Sequence, residues 1–332
     1  MSFILDKAFL TEPDYVLQKQ AQQRLNSLTK PQGSLGRLED IAVWMCGWQG
    51  TLSPKTDKAY TLIFAGNHGV VARGVSAYPA EVTVQMVANF ENGGAAINQL
   101  CREIPSNLRI IPLSLNTPTA DFTEDPAMSE REFAEAFNLG MESVPSDADI
   151  LVLGEMGIGN TTVAAALAQA VCGGEAADWV GVGTGIDEVG LARKREVVTS
   201  AVAIHQRYLV DAVSVMRYLG GREQAAIAGA VWQARKLKIP VILDGYVVCA
   251  AVAAFMLVSK DSLSHCVSGH LSAEGGHKKL LDFMGMQPLL NLGMRLGEGS
   301  GAQLSLAVVR AALATFTGMA TFEEAMVTGK NS

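Results

Sequence analysis

At 332 residues, with 49% hydrophobic and 18% charged side chains, the chain is too rich in apolar residues to be disordered and long enough to bury one large core or two smaller ones. A net charge of -7 and a pI near 5.3 exclude a role built on broad attraction to a nucleic-acid backbone, though not the capture of one phosphate by local N–H groups and a cation. The five cysteines form no C-x-x-C pair, and the stretch MSFILDKAFLTEPDY holds no uninterrupted apolar run, so a cytoplasmic protein with reduced thiols is expected.

Taken in chain order, residues 12–28 first place Leu17, Ala21 and Leu25 at helical spacing. Strand-like apolar runs follow at 59–65, 108–113, 149–153, 179–182, 239–243 and 263–267. Between them lie helical patterns near 80–103, 129–144, 160–171, 187–208, 222–237 and 246–258. Such alternation predicts a parallel sheet covered on both faces. Prolines and acids mark 114–129 as a solvated loop. The most apolar run, Tyr246 to Val258, is too short to span a bilayer and is expected as a buried helix, so no membrane partner is expected. At 303–317, Leu304, Val308, Ala311 and Phe316 again fall near helical spacing with no strand nearby, and the two ends are expected to pack together as a helical subdomain.

Ligands of an open parallel sheet sit beyond the carboxyl ends of its strands. Five of the six runs lead there into glycine with polar or charged residues: GNHGV, GEMGIGNTT, GTGID, DGY and SGHLSAEGGH. GEMGIGNTT (154–162) has the form of a phosphate cradle, with Asn160, Thr161 and Thr162 at a helix start, where N–H groups and the dipole favour an anion; either threonine serves equally as an ordinary N-cap. Glu155 would repel that anion unless it faced something else, such as a sugar hydroxyl. Gly181, Gly183 and Gly185 give G-x-G-x-G in place of the dinucleotide G-x-G-x-x-G, which fits a mononucleotide better. Lys194, one to two turns into the next helix, either reaches a phosphate or is solvated. Asp244, at a strand end, either caps the following helix or holds a ligand hydroxyl.

His265, His270 and His277, with Cys266, place no two ligands on one helical face at i+4 and form no H-E-x-x-H, so no metal is expected. His68 has no carboxylate at motif spacing. No serine lies in a G-x-S-x-G elbow and no cysteine has a local catalytic signature, so covalent catalysis lacks a candidate. General-base catalysis has one. RLGEGSGA (295–302) sets Glu298 between Gly297 and Gly299, where bare backbone lets a bound molecule approach closely; a plain turn is the competing reading.

These stretches, with LTKPQGSLGRLE (28–39), FAGNHGV and GVSAYP (within 64–79) and LDGYVVCAA, stand in the order found in the nicotinate-nucleotide:dimethylbenzimidazole phosphoribosyltransferase family, which the chain resembles from 28 to 302. The resemblance implies a Rossmann-like α/β domain over 28–285, a small discontinuous helical domain from 1–27 with 286–332, and a homodimer. It implies transfer of phosphoribose from nicotinate mononucleotide to 5,6-dimethylbenzimidazole with inversion at C1′. The products would be nicotinate and α-ribazole 5′-phosphate for the cobalamin nucleotide loop, with no cofactor.

By the same resemblance Glu298 is the general base, its pKa raised by burial beside an aromatic ring, and Glu155 is a second acid near the reacting centre. The phosphate would meet Gly157, Asn160, Thr161, Thr162, Gly183, Thr184, Gly185 and Lys194. Asp244, Gly245, Ser272 and Glu274 would line the nucleotide side, and Tyr78, Gln85, Met86 and Leu296 the acceptor side. Tyr78 after GVSA and Gln85 before Met86 depart from the family's alanine- or valine-rich stretch, which keeps an adenine or phenolic acceptor as an alternative. A non-catalytic nucleotide-binding regulator is the alternative from another class, and the intact glycine frame of Glu298 weighs against it. A dehydrogenase fails on the glycine spacing.

Overall fold

The apolar runs assemble into five strands, β1 (Ala59–Ala65), β2 (Asn107–Pro112), β3 (Ile150–Met156), β4 (Val241–Leu243) and β5 (Cys266–Ser268). All neighbours pair in parallel, in the order β2-β1-β3-β4-β5. The computed structural model describes residues 5–183 and 185–328. The strand order reverses between β1 and β3, which opens a crevice at their carboxyl ends.

Helices α1 (Tyr15–Ser27) and α2 (Arg37–Gln49) precede the sheet, and α3 (Glu81–Glu91) and α4 (Ala96–Glu103) join β1 to β2. After α5 (Glu130–Glu142) and β3 come α6 (Asn160–Cys172), α7 (Ala176–Trp179), α8 (Glu188–His205), α9 (Ala212–Leu219) and α10 (Arg222–Lys236). Next, α11 (Tyr246–Ala253) links β4 to β5, and α12 (His277–Met284) and α13 (Ser300–Gly318) follow.

Alternating strand residues explain the layers, because successive side chains point to opposite faces. Leu62 and Phe64 of β1, Leu151 and Leu153 of β3, and Val241 and Leu243 of β4 join the core that holds α5, α6, α10 and α11. Ile150, Val152 and Ile242 face the other way, onto Ala21 and Leu25 of α1, Ile41 and Met45 of α2, and Leu306, Val309 and Phe316 of α13. The two chain ends therefore meet over the sheet. Asp14 caps α1 by accepting from the Leu17 amide at 2.9 Å, and Arg24 of α1 donates to the Phe316 carbonyl at 3.1 Å. The apolar run expected as one buried helix over Tyr246 to Val258 gives α11, with all eight residues buried, and then a 3-10 turn over Ala254–Leu257 in which Leu257 is exposed. No helix among the described residues is long and apolar enough to cross a membrane.

Further element predictions are corrected. The loop over 114–129, expected to be solvated, buries Phe122, Ala127 and Met128 in the main core. The run 179–182 is no strand: Trp179 ends α7, the Val180 amide closes that helix onto the Ala176 carbonyl, and the following glycines turn against Glu274. The single helix expected over 80–103 is two, because Gly93 takes a left-handed φ of 77° and breaks the rise between them. The strand expected to stop at 153 runs on to Met156, which makes Glu155 a strand residue at the lip of the crevice.

Candidate active site

Glycines let the pieces of the site touch. A Cβ on Gly154 of β3 would run into the Gly299 backbone, so the loop before α13 lies on the strand with no side chain between them. Within that loop Gly297, Glu298 and Gly299 are consecutively left-handed, with φ of 81°, 60° and 71°. For glutamate this is an uncommon conformation held by its surroundings. A Cβ on Gly297 would strike the Glu155 carboxylate, so the two acids are brought together across bare backbone. Both line a cavity of about 540 Å³.

Asp244, at the end of β4, is fully buried and accepts from the amides of Gly299 at 3.1 Å and Ala302 at 2.9 Å. It thus fixes the start of α13, not the helix that follows it in sequence, and stands behind the cavity wall. His270 approaches it, Nε2 to Oδ1 at 3.5 Å. Burial pushes the Glu298 carboxyl up to about 7, with the Asp244 charge adding to it. Burial likewise pushes Glu155 up to about 8; the charges of Asp244, Glu223 and Glu298 add, and a hydrogen bond from the Asn160 amide opposes. Both acids are thus held near neutral pH, well above the ordinary carboxylate range.

The opposite end of the cavity is formed by the start of α6. Gly159 is the N-cap of α6, with no side-chain cap among the described residues, so neither Thr161 nor Thr162 is the N-cap. Lys194 is buried beneath, its Nζ donating to Thr161 Oγ1 at 2.8 Å and the Gly181 carbonyl at 3.2 Å. Burial pulls its ammonium down to about 8, while the Glu274 charge supports it. Glu274 also accepts from the Gly183 amide at 2.6 Å, which ties the G-V-G turn to the site.

The cavity wall gathers Gly157, Asn160, Thr161 and Gly183 at the cradle end, with Gly245, Ser272, Glu274, Tyr78 and Leu296 around it. Lys194, Asp244 and Thr162 stand one layer back, the last with no partner for its hydroxyl among the described residues. Gly185 and Gln85 do not line the wall, and Met86 packs toward Ile63 and Phe90. Thr184 lies outside the described residues. The wall also holds residues to which the sequence assigns no place in it. His270 enters the sequence reading only as a metal candidate, and Arg295, the first residue of RLGEGSGA, donates to the Gly183 carbonyl at 2.8 Å and bridges two loops. Charge beside a glycine-rich loop was the available signal for Arg295. His265 and His277 are engaged by backbone groups, the Val231 carbonyl at 3.0 Å and the Ser272 amide at 2.8 Å.

A parallel sheet with two buried acids and a helix N-terminus around a cavity at its switch point defines an α/β enzyme of the kind that works on small ligands at strand ends. The phosphoribosyltransferase family model matches residues 10–327, and the chain belongs to that family. It is 56% identical over 310 residues to the nicotinate-nucleotide–dimethylbenzimidazole phosphoribosyltransferase of Methylocella silvestris, covering 93% of this chain and 91% of that one. The protein of the same name from Roseobacter denitrificans is 54% identical over 318 residues, covering 96% and 94%. Among solved structures, CobT from Thermus thermophilus superposes with a TM-score of 0.89 at 37% identity, covering 95% of this chain and 100% of that one.

Proposed function

We propose that this chain transfers the phosphoribosyl group of nicotinate mononucleotide to 5,6-dimethylbenzimidazole, with inversion at C1′, for the cobalamin nucleotide loop. One ring nitrogen of the acceptor forms the new bond to C1′ as the C1′–N bond to nicotinate breaks, and that electron pair leaves on the nicotinate nitrogen. The proton on the acceptor's other nitrogen passes to Glu298. The observation that carries the reading is Glu298 itself: a buried carboxylate on left-handed backbone between two glycines, facing the cavity, with a pKa of about 7 suited to a base.

Glu155 faces the sugar, either as a hydroxyl clamp or as a group that stabilises positive charge building at C1′. The phosphate sits at the α6 N-terminus, where Lys194 and the Gly183 turn complete the cradle. Gly157, Asn160, Thr161 and Thr162 belong to that end, Asp244, Gly245, Ser272 and Glu274 to the nucleotide side. Tyr78 and Leu296 border the acceptor; both line the cavity and are half or more exposed at its edge. The Rossmann-like body of 28–285, the discontinuous helical part from 1–27 with 286–332, the homodimer and the cytoplasmic setting belong to the same proposal, and the five free cysteines accord with a reducing compartment. Proton NMR of the product tests the reading. An α-linked ribotide is expected; a β-linked product, or free ribose 5-phosphate, overturns it.

A further inference from the structure

His68 and Glu223 form a second buried acid–base pair, one layer behind the cavity. His68 follows β1 and Glu223 lies in the first turn of α10; His68 Nε2 and Glu223 Oε1 are 3.0 Å apart, and both side chains are sealed from solvent. Glycines make the room. A Cβ on Gly66 would collide with the Glu223 carboxylate and one on Gly221 with both side chains, while one on Gly157 would come to 3.0 Å from His68 Nε2. Gly157 lines the cavity, so at that point a single residue of bare backbone separates the pair from the site.

Two further links run from the pair to Glu155. The Gly66 amide donates to the Met156 carbonyl at 3.0 Å and ties the His68 segment to the end of β3. Gln224, next to Glu223, donates to the Asn160 carbonyl at 3.4 Å, and the Asn160 side chain donates to Glu155. As a stabilising device the pair is poor. Burying such groups costs desolvation, and neither His68 ring nitrogen nor Glu223 oxygen has a well-formed hydrogen bond among the described residues. The Glu223 charge also reaches Glu155 and opposes its ionisation.

We propose that His68 and Glu223 are positioning residues that govern whether Glu155 carries a proton during turnover. The Glu223 carboxylate opposes ionisation of Glu155, and the His68 ring, 3.0 Å from that carboxylate, sets how much of its charge Glu155 meets. The other charged groups facing Glu155 are Asp244 from the end of β4 and Glu298 from the loop before α13. The place of Glu155 beside the sugar rests on the function proposed above, so the first readout needs no turnover.

Infrared titration of the full chain tests this, with the protonated-carboxyl band that disappears in Glu155→Gln marking Glu155. Glu223→Gln, close in shape and uncharged, is expected to lower the midpoint of that band by about one pH unit and to move the matching limb of the kcat profile the same way. His68→Gln is expected to move both upward, and Glu223→Asp, which keeps the charge, to stay near the wild-type position. A band that shifts in a protein releasing no nicotinate supports the pair and refutes the assigned reaction. Variants with wild-type circular dichroism whose band stays in place overturn the proposal, even where kcat falls. If Glu223→Gln does not fold, His68→Gln decides alone.

Discussion

At the scale of the residue, Glu298 combines two properties that oppose each other in a stable protein. Burial and the Asp244 charge make ionisation costly, and the same cost makes the carboxylate a competent base near neutral pH. A base must be unprotonated to act, so kcat/KM should rise with pH through about 7, and that limb should vanish in Glu298→Gln. The sign for stability runs the other way. Glu298 binds a proton more tightly folded than unfolded, so its contribution is most favourable below its ordinary value of 4.5 and is lost as pH rises through about 7. Glu298→Gln should therefore unfold less readily than wild type at pH 8, by on the order of 1–3 kcal/mol in urea melts. A less stable variant would show that the carboxylate is no burden on the fold. Lys194 offers a matching test at the phosphate end: Lys194→Met should raise KM for nicotinate mononucleotide at least tenfold with a smaller change in kcat, read from initial rates.

At the scale of the element, the site depends on how α13 is seated on β3 and β4. Asp244 holds the first amides of α13, and Gly154 lets its leading loop lie on β3. Asp244→Asn replaces one acceptor with a donor opposite those amides and should cost about 1–3 kcal/mol by chemical denaturation. It also removes a charge that raises Glu298, so the acid limb of kcat/KM should move to lower pH. Gly154→Ala should separate loop from strand and abolish activity in a chain whose helix content is kept. These couplings were only partly visible in the sequence. The strand-to-glycine junctions were legible because continuous apolar runs stop abruptly at residues such as Gly66, Gly154 and Asp244. The alternatives for Asp244 were not resolvable, since its partners lie in a helix far along the chain. The run 179–182 misled because Trp179 and Val180 read as strand, whereas Gly181 and Gly183 are shaped around Glu274, a contact no local pattern reveals.

At the scale of the molecule, one sheet sets the whole arrangement. Its reversal between β1 and β3 collects residues from distant segments, and the chain ends cover the sheet face opposite α5, α6, α10 and α11. Helix α1 was readable from i+4 spacing, but in α13 the expected Leu304, Val308 and Ala311 are half-buried or exposed while Leu306, Val309 and Ala312 pack on the sheet; the family motifs named most of the cavity wall. His68 stayed unassigned, because its carboxylate is supplied by α10 and not by any neighbour in sequence. Carboxylates at the crevice also shape the global response to pH. With Glu155 pushed up to about 8 as well, the two acids together should cost the fold more as pH rises from 5 to 8, so thermal melts of wild type and of the Glu155→Gln, Glu298→Gln double variant should diverge over that range in favour of the variant; a difference that does not change with pH would contradict the electrostatics of the site. The most direct test of the central claim is nicotinate release from nicotinate mononucleotide, with and without dimethylbenzimidazole, in wild type and Glu298→Gln. Release that requires the acceptor, and that falls by roughly 10²–10⁴ in the variant with mononucleotide binding intact, is the predicted result. Release that ignores the acceptor, or near-normal turnover in Glu298→Gln, would contradict it.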